Sequence, residues 1–135
     1  MGVRFVPVLA VLALVAAGCG ARSSTPFTAK GTLGCLKGKQ FADATANPAK
    51  LPFIAQFAAN GGIEATSPNG NRVTLAFTDS EATVPSTEKA FRLHAPKSLR
   101  SHINDVMRSN RNVVIVWTTT PASDDESTVE GCLAS

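Results

Sequence analysis

Hydrophobic positions in the middle of the chain alternate with polar ones, and this two-residue period is typical of a half-buried β-strand. Residues 72–78 show the alternation, and residues 63–66 precede them across a turn that contains Asn69 and Gly70. Asn-Gly between two such segments predicts a β-hairpin, because both residues tolerate a positive φ. Residues 113–117 are apolar without interruption, as is typical of a central strand covered on both faces.

Two other segments carry apolar residues at helical spacing. The first covers residues 51–58; Pro52 suits its first turn, and Asn-Gly-Gly at 60–62 should end it. The second covers residues 87–109 and should be divided in two by Pro96. The apolar stripe of its second part consists of Leu99, Ile103, Val106 and Met107.

Strands predicted near both ends complete the fold. Residues 32–37 and 128–133 each contain the tripeptide Gly-Cys-Leu in a strand-like setting. The element order is then β-α-β-β-α-β-β. This order predicts an α+β fold over residues 30–135: a mostly antiparallel sheet with two helices on one face. A chain of this length can bury one core and is too short for two, so we expect a single domain.

The start of the chain indicates export from the cytoplasm. Arg4 supplies a positive charge, and the apolar run at 5–17 follows it. At about 1.5 Å per residue this run is too short to cross a hydrocarbon core of about 30 Å. It leads into Val-Ala-Ala-Gly-Cys at 15–19, and small residues before a cleavage point are what signal peptidases accept.

Residues 15–19 resemble the lipobox of bacterial lipoproteins, although Ala16 stands where that family favours Leu. The resemblance implies cleavage before Cys19 and a diacylglyceryl group on its thiol. The chain would then comprise a signal peptide (1–18), a lipidated cysteine with a flexible tether (19–29) and the domain. The remainder loosely resembles small exported lipoproteins of actinobacteria, many without an assigned activity, and this likeness brings no catalytic residues. An ordinary secretory signal is the alternative.

Two cysteines remain in the expected mature chain, Cys35 and Cys132. An even pair in an oxidising compartment usually forms a disulfide, which here would join the first and last predicted strands. Chain-entropy theory assigns up to about 4.7 kcal/mol to closing a loop of roughly 100 residues. A redox or metal pair is the alternative, but the chain has no Cys-x-x-Cys spacing and only two His.

Candidate catalytic and metal-binding groups are sparse. Asp105 follows His102 by three residues, so a helix could bring the two together, but no serine is marked as a nucleophile. The acidic run at 124–126 could bind calcium together with Glu130. It lacks the alternating oxygen ligands and the turn glycine of a calcium loop, and a solvated hairpin tip is the preferred interpretation. We therefore predict no catalytic activity, no cofactor and no metal site.

Basic residues concentrate in the second helical region. Four of them recur near the helical period, with Asn104 filling the gap: Lys97, Arg100, Arg108 and Arg111. A continuous helix would place these four on one exposed face. A merely solvated helix face is the simplest interpretation. The alternative is binding to an anionic partner near the membrane, which could be lipid head groups, wall polymer or an acidic protein.

Composition narrows the function further. The formal net charge of +3, which includes Arg4 of the leader, is too small to indicate nucleic-acid binding. Seven Phe, one Trp and no Tyr are too few for an aromatic sugar-binding platform. The sequence predicts a non-catalytic binding or interaction module, held on the extracytoplasmic face of the cell membrane by its lipid anchor. A carrier or sensor of a small apolar ligand, bound between sheet and helices, is the alternative. A small hydrolase using His94 or His102 is the third possibility.

Overall fold

The structure is a computed structural model, and it describes residues 24–135. The signal peptide, Cys19 and the first part of the predicted tether lie outside the described residues, so the lipid attachment stays a prediction. From residue 24 onward, no helix combines the length and the apolar character needed to cross a bilayer.

The described residues form five strands and six helices, with short 3-10 turns at Pro48–Lys50 and Glu81–Thr83. The strands are β1 (Ala42–Thr45), β2 (Gly62–Thr66), β3 (Arg72–Phe77), β4 (Met107–Asn110) and β5 (Val113–Trp117). The helices are α1 (Ala29–Gly38), α2 (Phe53–Gln56), α3 (Val84–His94), α4 (Lys97–Arg100), α5 (Ile103–Val106) and α6 (Ser123–Cys132).

The strands form one open antiparallel sheet in the order β1-β2-β3-β5-β4. The predicted hairpin is confirmed as β2 and β3, with Gly70 at a φ of 83° in the turn between them. The predicted central strand is confirmed as β5, which lies between β3 and β4 and is buried along its whole length. The α+β class with a mostly antiparallel sheet in a single domain is therefore confirmed.

Alternation along the strands separates the two faces of the sheet. Glu64, Thr74 and Val116 lie directly opposite one another in register and share the first face. The two predicted helical regions cover this face, as expected. α2 lies so close to β2 that a Cβ atom on Gly62 would come within 2.5 Å of the Ala55 carbonyl oxygen.

The second face of the sheet carries the other half of each strand, including Ile63, Leu75 and Ile115. These side chains are almost completely buried. α1 and α6 cover them, contributing Leu36 and Val129 to the same core. The domain therefore has helices on both faces of its sheet, which explains how a chain of this length can bury every strand of the sheet's centre.

The strands predicted at 32–37 and 128–133 are wrong, because these segments belong to α1 and α6. The Thr28 side chain caps α1 by accepting a hydrogen bond from the Gly31 backbone N–H at 3.0 Å. The acidic run at 124–126 lies in the first turn of α6, where negative charge is favoured by the helix dipole. The hairpin tip expected there is therefore also wrong.

The second helical region is divided at Pro96 as predicted, but it ends earlier than expected. The chain leaves the helix after Val106, and β4 begins at Met107, which pairs with Val116. The helix predicted to continue to residue 109 is wrong, since this segment completes the edge of the sheet. The first helical region is shorter than predicted and is reduced to the single turn of α2.

The predicted disulfide between Cys35 and Cys132 is present, with a Cα–Cα distance of 5.4 Å. It joins α1 to α6 and not two strands. The segment before α1 is also attached to the domain, although it was predicted to be a flexible tether. Asn112 accepts a hydrogen bond from the Phe27 backbone N–H at 2.8 Å and donates one to the Phe27 carbonyl at 2.9 Å. The Thr25 carbonyl also accepts hydrogen bonds from Arg111 and Ser135, so the described end of the predicted tether lies against the domain.

Candidate ligand-binding site

A cavity of about 630 Å³ lies on the first face of the sheet, between the strands and the helices α2 to α5. Its floor is the row formed by Glu64, Thr74 and Val116, which the register of three neighbouring strands places side by side. Ligand sites in proteins typically measure about 300–1,000 Å³. The volume is therefore that of a site for a small molecule.

The walls of the cavity are mostly apolar. Phe91 of α3 and the segment with Ala95, Leu99 and Ile103 form one side, and the start of α2 forms the other. A proline precedes each of α2 and α4 directly, in an extended conformation that a helix cannot continue through. Pro52 therefore fixes where α2 begins, and Pro96 separates α4 from α3. Both prolines line the cavity.

Polar groups are confined to a few positions around the cavity. The carboxylate of Glu64 is 3.5 Å from the guanidinium of Arg72, and both side chains line the site. Arg72 is mostly exposed, so this ion pair contributes little to stability. Thr118 and Thr119 follow β5 at the same end of the cavity. A ligand would thus meet a cluster of hydrogen-bonding groups at this end and a mostly apolar lining along the rest of its length.

Both histidines line the cavity, and neither is paired with a carboxylate in the described residues. The His94 ring lies 6.4 Å from the Phe53 ring, and the His102 Nδ1 lies 3.3 Å from the hydroxyl of its neighbour Ser101. Among residues 24–135, no carboxylate oxygen lies within 4.0 Å of a ring nitrogen of either histidine. Asp105 bonds to His102 only through the backbone. The Ser-His-Asp grouping that the sequence permits is therefore not assembled in the described part of the chain.

The acidic run of α6 is also not arranged as a metal site. Asp125 is buried, and Glu126 accepts a hydrogen bond from Arg108 at 2.8 Å in an ion pair. No group of three or more His, Cys, Asp or Glu side chains in the described residues could hold a metal ion. The acidic side chains serve the start of the helix and one contact with the sheet edge.

The basic stripe predicted on one helix face does not exist, because the four residues lie on three different elements. Lys97 and Arg100 are in α4, Arg108 is in β4, and Arg111 lies in the turn after β4 with a φ of 51°. The Arg111 guanidinium lies 4.0 Å from the centre of the Phe27 ring. Arg100, Arg108 and Arg111 each donate hydrogen bonds within the domain. Of the four residues, only Lys97 and Arg100 remain together on an exposed surface.

The residues that form the cavity floor were not predicted from the sequence. Thr74 is a polar residue in an otherwise apolar, buried strand, and this was the available signal. Its position beside Val116 depends on a pairing between strands that are distant in the chain. The two prolines at 52 and 96 were recognised as helix boundaries, but not as part of a cavity lining.

Comparison of the chain with protein-family models, with curated proteins and with solved structures found no match in any of the three.

Proposed function

We propose that the protein is an exported lipoprotein, anchored through Cys19 on the extracytoplasmic face of the membrane, that binds a small apolar ligand without transforming it. The single observation that supports this proposal is the cavity of about 630 Å³ with mostly apolar walls. Each Å² of apolar ligand surface removed from water contributes about 25 cal/mol, so a cavity of this kind favours an apolar occupant.

The polar groups of the site suggest how a ligand would be oriented. Glu64, Arg72, Thr118 and Thr119 border one end of the cavity, and the remaining lining is mostly apolar. An apolar molecule with one polar end group would match this distribution. Neither histidine has a carboxylate partner among the described residues, which is why binding is favoured here over hydrolysis.

The proposal predicts that the protein purified from its own envelope carries a small apolar molecule. Thr74→Phe adds a ring at the centre of the cavity floor and should eliminate the bound molecule. Thr74→Val keeps the volume of the side chain and should retain it. Organic extraction followed by mass spectrometry of the extract would compare the variants with the wild type.

Thr128→Phe provides the matched control, because Thr128 is a half-buried threonine of α6 that does not line the cavity. This variant should retain the molecule. Circular dichroism would verify that each variant is folded. An extract that is unchanged in a folded Thr74→Phe variant, or empty in the wild type, would contradict the proposed function.

A further inference from the structure

Two phenylalanines of the α2 region are exposed to an unusual degree. Phe53 and Phe57 are 69% and 71% exposed, and their rings form an edge-on pair with centroids 5.0 Å apart. Leu93 of α3 is 62% exposed, and within residues 24–135 these three are the exposed large hydrophobic side chains. We call them the apolar patch. Clustered apolar side chains on a surface mark a contact site more often than isolated ones do.

The apolar patch lies at the mouth of the cavity. Phe53 is part of the cavity lining, and its ring contacts the ring of His94, the neighbour of Leu93 in the chain. Whatever covers the patch is therefore also the environment with which the cavity exchanges its contents. An aqueous environment would leave two aromatic rings and a leucine in water beside an apolar cavity.

The chain enters the described part of the domain near this patch. Ser24 and Asp79 line one shallow cleft, and Asp79 and Phe57 line the cleft beside it. Ser24 and Phe57 therefore line neighbouring clefts that share Asp79. Cys19 precedes Ser24 by five residues, which can span at most about 18 Å at ~3.6 Å per residue. A lipid on Cys19 would hold this side of the domain against the membrane.

Exposed basic side chains accompany the patch on its α3 and α4 side. Lys89 lies on α3, four residues before Leu93, and Lys97 lies at the start of α4. Arg100 donates a hydrogen bond to the Leu93 carbonyl, so its guanidinium lies beside the patch as well. Apolar side chains bordered by positive charge fit the interface of a membrane, where the former enter the acyl-chain boundary and the latter meet anionic head groups.

We propose that the apolar patch docks on the membrane to which the protein is anchored, with Phe53 and Phe57 at the acyl-chain boundary and the cavity mouth facing the bilayer. This inference rests on the proposed function, since it takes the lipid anchor and the apolar cavity as given. It adds the route by which the ligand enters the cavity. The ligand passes from a bilayer that contains anionic lipid into the cavity mouth. Docking on the membrane explains why apolar side chains at the mouth of the cavity are exposed in the isolated domain.

The test uses tryptophan as a probe of depth in the full acylated chain, reconstituted into vesicles of phosphatidylcholine and phosphatidylglycerol with brominated acyl chains. Bromine quenches tryptophan on contact. Trp117 is 1% exposed and is present in every variant, so it supplies a constant background. Phe53→Trp and Phe57→Trp should be quenched several-fold more than Ser127→Trp, an exposed control position in α6 on the opposite side of the sheet.

Equal quenching of the three variants would overturn the docking proposal. If the same vesicles also yield a cross-linked dimer, the patch is covered by a second copy of the chain. Mass spectrometry of the reconstituted protein reports the acyl group on Cys19 separately, and extraction reports the cavity contents. An acylated, ligand-bearing protein with an unquenched Phe57→Trp would therefore refute docking and leave the proposed function standing. A protein without acyl group or ligand would refute the proposed function itself.

Discussion

At the scale of single residues, Asn112 holds three parts of the chain together. Its buried amide bonds to both backbone groups of Phe27 and donates to the Thr78 carbonyl at 2.8 Å. These contacts attach the segment before α1 to the end of β3 and the start of β5. An aliphatic side chain at position 112 could make none of these hydrogen bonds, whereas the amide is both a donor and an acceptor.

We predict that Asn112→Ala lowers the free energy of unfolding by at least about 2 kcal/mol, since buried groups left without a partner cost about 1–3 kcal/mol each. Urea unfolding of the wild type and the variant would measure the loss. Asn69→Ala is the control, because Asn69 is exposed in the hairpin turn and its replacement should change stability by less than about 0.5 kcal/mol. Equal losses in both variants would contradict the assigned role.

Asp79 has a pKa below its ordinary value, chiefly because the Thr83 hydroxyl donates a hydrogen bond to its carboxylate at 2.6 Å. We predict that Thr83→Val raises the pKa of Asp79 towards the ordinary value, as followed by carboxyl NMR titration. Ser80→Ala, which removes a weaker 3.4 Å contact, should raise this pKa less. An unchanged pKa in Thr83→Val would disprove the cause.

The sign of the accompanying pH effect follows from the direction of the shift. A folded-state pKa below the unfolded value stabilises the domain above the unfolded pKa, and this contribution is lost as the pH falls through the folded pKa. The free energy of unfolding of the wild type should therefore exceed that of Thr83→Val most at neutral pH. The part of this difference that is due to Asp79 should vanish in acid.

At the scale of elements, we expect a substitution by alanine to have opposite effects on stability at two glycines. A methyl group on Gly62 would collide with the Ala55 backbone of α2, whereas one on Gly34 in α1 would meet nothing within 4 Å. Gly62→Ala should lower the free energy of unfolding by about 1–3 kcal/mol through overpacking. Gly34→Ala should raise it by up to about 1 kcal/mol, because alanine favours a helix. Thermal unfolding would measure both, and shifts of the same sign would contradict this packing.

The strands in the middle of the chain could be predicted because their signals are local. Alternation in β3, the Asn-Gly turn and the apolar run of β5 each specify a strand without reference to distant residues. The ends of the domain could not be predicted in this way. Gly-Cys-Leu suits a strand as well as a helix, and the decision falls to the packing of α1 and α6 against each other and the sheet.

The cavity could be foreseen only as a possibility between sheet and helices. Its floor depends on the pairing of Thr74 with Val116, and nothing in either strand alone specifies that register. The prediction of a basic stripe was wrong for a related reason. The periodicity of residues 97–111 is compatible with a helix, but Met107 to Asn110 gain more by completing the sheet edge beside β5.

At the scale of the whole molecule, the disulfide connects the first and last helices across a sequence separation of 97 residues. We predict that replacing both cysteines by serine lowers the free energy of unfolding by up to about 4.7 kcal/mol, the chain-entropy value for so long a loop. The sheet and its core should remain folded, as far-ultraviolet circular dichroism and thermal unfolding would show. The double replacement avoids a free thiol that could pair with another chain.

The bound molecule should persist in this double variant, because the cavity lies on the face of the sheet opposite to α1 and α6. Its loss from a protein with an intact sheet would show that the two faces are coupled. Unchanged stability without the bond would contradict the entropic account of its contribution.

The pairing of β3 with β5 has a consequence for the order of folding. The hairpins β2–β3 and β4–β5 are local and can form within microseconds, whereas β3 meets β5 only after residues 78–112 close into a loop. That loop contains α3, α4 and α5, which are the wall of the cavity. A ligand is therefore bound only after the slow, long-range step, and its free energy of binding stabilises the folded domain relative to chains in which only the hairpins have formed.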